Sequence, residues 1–574
     1  MSVIRHVDIK NFRTIKNLSW HPNPGFNCLI GPGDSGKSTL LDAIDLTLGA
    51  RRSYSFNDAD FYQLNTLTPL SITITIGELH DDLKNVESYG FFLRGYNAET
   101  RQIFDEPQQG AETVLTVKLT VDSNLDPDWR LYSNRAEADG LERRLPWKHR
   151  ELLSPARLGT TAHQNLAWGS RSVLNKLSED TLDVSAVLAQ LGRQTRQAFA
   201  EQQVEGVSEV LRQVQQISND LGVQVGELKA LLDVNGISLS NGAISLHNND
   251  NTPLRQLGTG SSRLLISGLQ KAAARSKVII VDEAEYGLEP YRITRLLNEL
   301  GSKETNPTQQ VFITTHSPYV LRELQANQLH VIRKPSAVEL AFNPDNAGHK
   351  VYSLDGGEIQ QATLRACAES FFCKRVIVCE EKTEIGLVRG IDLNRQDNNA
   401  ATVVANGIHC ADGGGDSMFA RAKVFSSLGY PTAIFKDSDK APQHEVHTQE
   451  AIQSGIAIYE WGDNRATEDA IFVSCPPELI PALLDIAIER KGVDSLESHI
   501  RANSNNSIGF SDCYQHFIEG YRPILAKSAN KKSWFKDIEP AEKIARHIVG
   551  PNYDQFTDAL KGPINQLFQW AQQE

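Results

Sequence analysis

Gly31-Pro32-Gly33-Asp34-Ser35-Gly36-Lys37-Ser38, positions 31–38, has the spacing G-x-x-x-x-G-K-[ST] of a loop that cradles phosphate. Before it, Phe26–Ile30 (FNCLI) reads as a short buried strand. After it, TLLDAIDLTLG from Thr39 reads as a helix with Leu40, Leu41, Ile44 and Leu48 apolar. A strand, a glycine turn and a helix N-terminus aim backbone N–H groups and a positive dipole at one point. The expected nucleotide-contacting set is therefore Gly31, Gly33, Asp34, Ser35, Gly36, Lys37, Ser38 and Thr39. Lys37 would reach the β- and γ-phosphates of ATP, and Ser38 would hold its Mg²⁺.

Outward from the loop, the chain supplies the rest of such a site. Lys277–Val281 (KVIIV) reads as a buried strand that delivers Asp282-Glu283. Asp282 would meet the Mg²⁺ through water, and Glu283 would orient or deprotonate the attacking water. Gln310–Thr314 (QVFIT) is another strand, and Thr315-His316-Ser317-Pro318 after it brings His316 near the γ-phosphate. Ser2–Trp20 reads as two short strands around Lys10-Asn11-Phe12-Arg13, and Ser71–Ile76 (SITITI) alternates as a half-buried strand. Strand-like segments follow around Gly90–Gly95 and Thr113–Val121, and Ser238–His247 looks like a hairpin. From about Gln164 to Leu232 the chain is helical in period and almost free of proline, a small helical insertion or, on the sharper reading, a dimerisation module lying between the two halves of the nucleotide-binding part.

The 574 residues allow three or four domains. Hydrophobic content of 40% and charged content of 22% fit an ordinary globular protein, and no apolar run reaches membrane-spanning length. Met1-Ser2-Val3-Ile4-Arg5 runs straight into a strand without a signal-peptide core, so a cytoplasmic protein without a membrane partner is expected. The seven cysteines make no C-x-x-C pair and read as buried thiols, against a disulfide framework or a zinc site. A formal net charge of -13 excludes a surface coated in base for non-specific DNA binding, but not a local basic groove.

The phosphate loop, the Leu257–Arg263 run LGTGSSR, VIIVDE, Gly287-Leu288-Glu289-Pro290, THSPYVL and the opening IKNFRTIKNL together resemble the ABC-type ATPase heads of the RecF and structural-maintenance-of-chromosomes group. LGTGSSR departs from that group's L-S-x-G form at its second residue. The resemblance implies a composite site, in which Gly260 and its neighbours of one copy face the phosphate loop of another. A homo-oligomer, dimer or tetramer through the heads, follows from it.

A second constellation lies beyond the boundary read at Ala341–Gly357. Lys374–Cys379 (KRVIVC) is a strand ending in Glu380-Glu381-Lys382-Thr383-Glu384, and Thr432–Phe435 (TAIF) is a strand ending in Lys436-Asp437-Ser438-Asp439. Residues two apart in an extended segment point the same way, so Asp437 and Asp439 can share a metal, with Glu380 at a neighbouring strand end. Hard oxygen ligands suit Mg²⁺, Mn²⁺ or Ca²⁺.

This pattern resembles the Toprim domain of topoisomerases, primases and OLD-family nucleases. On that resemblance Glu380, Asp437 and Asp439 match the family's glutamate and D-x-D, Glu384 the second glutamate of OLD nucleases, and Gly413-Gly414-Gly415-Asp416 the glycine loop. Glu381 stands where the family has glycine. The resemblance also implies an acid for a second metal and a C-terminal lysine. Glu468 is the choice for the first, with Asp469 and Asp463 as alternatives, and Lys536 for the second, over Lys532 and Lys531.

The expected fold is α/β: an ABC-type P-loop ATPase head with a helical insertion, then a Rossmann-like Toprim domain with a helical C-terminal region. The expected parts are 1–163 (head, N-terminal lobe), 164–235 (insertion), 236–345 (head, C-terminal lobe), 346–365 (linker) and 366–574 (Toprim). An ATPase head fused to a Toprim domain is the arrangement of the OLD family. It implies an ATP-binding, metal-dependent DNA endonuclease or nickase of the anti-phage kind, some members acting with a helicase-like protein or within retrons. The alternative is a DNA-binding clamp whose Toprim domain docks without cutting. A topoisomerase would need a large domain bearing a nucleophilic tyrosine, and a primase a zinc-binding element that no cysteine spacing supports.

Overall fold

The computed structural model describes residues 2–51, 53–158, 253–273, 276–336 and 347–572, with isolated positions 190, 194, 339 and 341. Apart from positions 190 and 194, the expected insertion at 164–235 and the hairpin at Ser238–His247 lie outside the described residues. The chain divides into two compact units: Met1–Pro155 with Lys277–Glu285 and Gly301–Glu574, and Ala156–Ser276 with Tyr286–Leu300.

The first unit begins with alternating sequence that pairs antiparallel. Its strands are β1 (Val3–Phe12), β2 (Ile15–Trp20), β3 (Phe26–Ile30), β4 (Leu70–Gly77), β5 (Leu93–Asn97), β6 (Gln102–Phe104), β7 (Glu112–Val121) and β8 (Pro127–Leu131). All but β3 form one sheet in the order β2-β1-β4-β7-β5-β6, with β8 also on β7. Ile72, Ile74 and Ile76 of β4 are buried, and so are Leu40, Leu41, Ile44 and Leu48 of the helix Lys37–Leu48; all of them join one apolar cluster. Burial at about 25 cal/mol per Å² of apolar surface is the force that seats the helix.

β3 instead joins β9 (Val278–Val281), β10 (Gln310–Thr314), β11 (Leu329–Arg333) and β12 (Lys350–Ser353), side by side as β12-β11-β3-β10-β9. β11, β3, β10 and β9 are parallel, and β12 is antiparallel to β11. FNCLI, VIIV and QVFIT are buried at every position, as expected of parallel strands covered on both faces. The stretch read as a linker, 346–365, carries β12 and most of the helix Glu358–Ala366. Its Asp and Gly residues flank that strand.

A third sheet, wholly parallel, has the order β14-β13-β15-β16: β13 (Arg375–Cys379), β14 (Ile408–Asp412), β15 (Thr432–Lys436) and β16 (Ala457–Glu460). The chain leaves β13 toward β14 and then crosses to β15 on the other side. β13 and β15 therefore flank a topological switch point, whose crevice at the carboxyl ends is where such sheets gather ligands. Helices fill most of the remaining chain from Thr467 to Gln572, with Phe472, Leu525, Trp534 and Phe535 in the core they share with the sheet. Gly386 and Gly390 let the helix Lys382–Asp397 approach the helix Ile538–Ile544, because a Cβ on either would run into the carbonyl of Ile538 or Glu542.

The second unit, where described, contains the helices Thr259–Ala273 and Pro290–Glu299. No single helix among the described residues is long and apolar enough to cross a membrane.

Candidate functional site

Two clusters of buried charge stand at the carboxyl ends of the parallel sheets. The first is the phosphate loop. Gly31 has φ +136, and a Cβ there would lie 2.5 Å from the Ile332 carbonyl oxygen, so only glycine fits. Lys37 is folded back on the loop, its Nζ donating to Gly31 O (3.0 Å) and Pro32 O (2.9 Å). Burial pushes its pKa down to about 8, against the smaller pull of Asp34 and Asp282. Ser38 Oγ donates to Asp282 Oδ1 (3.2 Å), which brings the two expected Mg²⁺ contacts together across β3 and β9. Thr314 Oγ1 donates to the same oxygen and accepts the Glu283 N–H at 2.8 Å. Glu283 is exposed with φ 49, a left-handed backbone that costs a non-glycine residue about 1–2 kcal/mol. Thr39 faces Thr14, hydroxyl to hydroxyl, at 3.1 Å.

His316 is exposed, and its backbone N–H donates to Glu285 Oε1 (2.7 Å) while Thr315 Oγ1 donates to Glu285 Oε2 (2.6 Å). Glu285 escaped the sequence reading, although Asp282-Glu283-Ala284-Glu285 offers a third carboxylate two residues after Glu283. In the second unit, a Cβ on Gly260 would meet Gly287 O at 2.8 Å, and Gly287 itself has φ +69 against Thr259. Arg263 donates to Tyr286 O (2.9 Å) and Arg292 to Ser261 Oγ (3.0 Å), so the LGTGSSR run is held to the turn at Gly287-Leu288-Glu289-Pro290.

The second cluster lies at the switch point. Glu380 follows β13, and its own N–H donates to Phe435 O on β15 (2.9 Å). Gly415 N–H donates to Glu380 O (2.9 Å), so the glycine loop grips the backbone of this residue. The buried Glu380 carboxylate accepts the Asp437 N–H at Oε2 (3.0 Å) and Lys440 Nζ at Oε1 (3.3 Å). Glu384 is buried one helical turn on, and its Oε2 accepts the Glu381 N–H at 2.8 Å. Its other oxygen lies 2.5 Å from Thr467 Oγ1, which is also 2.9 Å from Asp437 Oδ1. One hydroxyl proton cannot serve both carboxyl groups. The second contact is satisfied when a carboxyl keeps its proton. Burial pushes Glu384 up to about 8, with Glu468 adding repulsion. Burial also raises Asp437 well above the usual carboxylate range, with the charges of Glu384, Glu380 and Glu468 behind it.

Glu468 is buried, its pKa raised first by burial, and its Oε1 has no hydrogen-bond partner among the described residues. Of its two alternatives, Asp463 is exposed and paired with Arg465 (2.9 Å), and Asp469 caps the Ala466 N–H. Lys536 Nζ lies 3.8 Å from Glu381 Oε2, and its charge reaches Glu468; Lys532 acts on His499 instead. Asp439 parts from Asp437. β15 ends at Lys436, so the two-residue alternation stops before them, and Asp439 is exposed near Lys440 and Asp469. Ser438 turns away to bond the Arg465 N–H through Oγ (2.9 Å). Thr467 and Lys440 were missed in the sequence; neither carries a motif, although Lys440 follows Asp439 directly.

Among the described residues, no group of three or more His, Cys, Asp or Glu side chains is arranged to hold one metal ion. The donor set nonetheless suits a hard divalent cation: it is all-oxygen, with Glu380, Glu384 and Glu468 buried and one orphaned oxygen at Glu468. What engages Glu380 is an ion pair with a lysine whose own side chain is 41% exposed.

The segment joining the two clusters is tightly held. Phe372 lies 6.2 Å from the His316 ring, centroid to centroid. Arg322 donates to Arg365 O (3.3 Å) and pairs with Glu369. Ser370 Oγ bonds His409 (2.9 Å), and Tyr430 Oη donates to Phe371 O (2.6 Å). β13 and Glu380 follow directly.

A sequence profile of the family described as "AAA domain, putative AbiEii toxin, Type IV TA system" matches residues 26–322. The OLD nuclease of Thermus scotoductus is 22% identical over 367 residues, 58% of this chain and 62% of that protein. The DNA replication and repair protein RecF of Nitrosococcus oceani is 48% identical over 54 residues, 9% of this chain and 15% of RecF. The chain thus spans less than two thirds of either relative. Among solved structures, an Smc head bound to the C-winged helix domain of ScpA aligns with 62% of this chain and 98% of its own, at 14% identity and a TM-score of 0.33, too loose a likeness to carry weight.

Proposed function

The chain belongs to the AAA domain family whose profile it matches over residues 26–322, and from that premise we propose an ATP-binding, metal-dependent DNA endonuclease or nickase of the OLD type. The observation that carries the proposal is the convergence of Glu380, Glu384, Asp437 and Glu468 at one sheet switch point, where burial first and neighbouring acids second raise the pKa values of Glu384, Asp437 and Glu468. Such a cluster costs stability unless a cation neutralises it.

At the phosphate loop, Lys37 would leave its own carbonyls for the β- and γ-phosphates, and Ser38 and Asp282 would share the Mg²⁺. Thr314 keeps Asp282 oriented, and Glu283 faces the solvent from which the attacking water comes. Gly260 of a second copy would complete this site in a homo-oligomer. At the switch point, Glu380, Glu384, Asp437, Asp439 and Glu468 would hold Mg²⁺, Mn²⁺ or Ca²⁺, which supplies Lewis acidity and charge neutralisation at a DNA phosphodiester. Thr467 fixes the rotamers of Glu384 and Asp437. Lys536 would neutralise charge building on the phosphate oxygens. ATP would control the cut through His316, Phe372 and the held segment that leads to β13. Equal cleavage by wild type and Lys37→Ala at every ATP concentration would sink this control.

A clamp that docks DNA without cutting is the second reading, and the observation favouring it is that Lys440 pairs with Glu380 while Thr467 sits between Glu384 and Asp437, so these acids have partners within the chain itself. Supercoiled plasmid incubated with Mg²⁺, Mn²⁺ or Ca²⁺, with and without ATP, separates the two. Nicking that Asp437→Ala abolishes supports the nuclease; no nicking under any condition, with retained DNA binding, supports the clamp.

A further inference from the structure

Lys440 precedes the helix Ala441–Gln453, and its ammonium turns back 3.3 Å from Glu380 Oε1. The same Nζ lies 4.0 Å from Asp416 Oδ1, on the glycine loop. Asp416 is in turn held by His444 Nε2 at 3.1 Å, a side chain only 5% exposed. Lys440 thus stands between a buried carboxylate and an exposed one. Glu380 is fixed by the Asp437 N–H on its other oxygen, whereas the lysine stem has four rotatable bonds and a half-open path.

We propose that Lys440 is a built-in cation that neutralises Glu380 while the site is metal-free, surrenders that oxygen to an arriving divalent ion, and withdraws to Asp416. An ammonium and a divalent cation cannot share one carboxylate oxygen without strong repulsion. Conversely, without any cation the buried carboxylates repel one another. The lysine therefore competes with the metal and protects the metal-free fold. The proposal rests on the reading of Glu380 as a metal ligand.

The test is calorimetric titration of the full chain with Mn²⁺, together with thermal unfolding in EDTA and in saturating Mn²⁺. Lys440→Met should bind Mn²⁺ about two- to fivefold more tightly than wild type, the range that a half-exposed ion pair is worth. It should unfold at a lower temperature in EDTA, and Mn²⁺ should close that gap. Lys440→Arg, which keeps the charge, should stay near wild type, and Asp416→Asn should weaken Mn²⁺ binding by removing the seat for the displaced ammonium. Equal or weaker Mn²⁺ binding by a folded Lys440→Met overturns the proposal. Asp437→Asn serves as the control: if it binds Mn²⁺ like wild type, the metal site itself is misassigned; if it loses Mn²⁺ while Lys440→Met is unchanged, only the role of Lys440 falls.

Discussion

The two clusters are electrostatic opposites built by one device. At the phosphate loop a buried cation, Lys37, rests on the loop's own carbonyl oxygens and has its pKa pushed down to about 8. At the switch point the buried Glu384 and the half-buried Asp437 share the Thr467 hydroxyl, and Glu384 is pushed up to about 8. In each, burial makes the charged form costly, and the protein's own polar groups fill in for a ligand of opposite sign. The first cluster is shaped for an anion and the second for a cation. They differ in rigidity. The phosphate loop is fixed by its own contiguous backbone, with glycine at positive φ, whereas the carboxylates are held by backbone N–H groups and side chains brought together from separate segments of chain.

The largest expected effect lies at the second cluster. Asp437→Ala should lower plasmid nicking by about a hundredfold or more, the scale seen when a group stabilising charge at a reacting centre is removed; near-normal nicking breaks the assignment. Lys37→Ala should abolish nucleotide binding in an equilibrium fluorescence assay while leaving Mn²⁺ binding intact, and loss of both would show that the clusters are not separable. Gly31→Ala should destabilise the fold by about 1–3 kcal/mol through backbone strain and the Ile332 carbonyl, read as a drop in melting temperature. The smallest effect sharpens the comparison most. Phosphate binding raises the Lys37 pKa, so nucleotide affinity should hold below pH of about 8 and fall above it, by at most about tenfold per unit. Divalent binding displaces the proton of Glu384, so Mn²⁺ affinity should rise with pH toward about 8 and then level off. Parallel pH profiles would contradict the opposition of the two sites.

The part of the chain around the phosphate loop was the more legible. FNCLI, VIIV and QVFIT are short apolar runs whose strand state and burial follow from composition, and the loop after FNCLI has a fixed spacing. The partners of Ser38 and Asp282 were readable because strand ends of one parallel sheet meet at one edge. The carboxylate cluster was legible as two strand ends, but not as a geometry. Asp437 and Asp439 were expected to point together on strand alternation, and the strand ends at Lys436, three residues short of Asp439, so that rule does not apply. Thr467 lies 83 residues from Glu384 and 30 from Asp437, and threonine at a helix start is too common to mark it.

What the sequence by itself determined, then, is the local: a phosphate loop between strand and helix, acidic strand ends and membership of an AAA domain family. Spacing rules act over a few residues, where the backbone alone sets direction. The tertiary structure decided which acids lose their water together, that Glu468 stands buried while Asp439 stays exposed, and that Lys440 holds Glu380. Those outcomes depend on burial and on charges brought close by the crossover from β14 to β15, and neither quantity is written in any short stretch of chain.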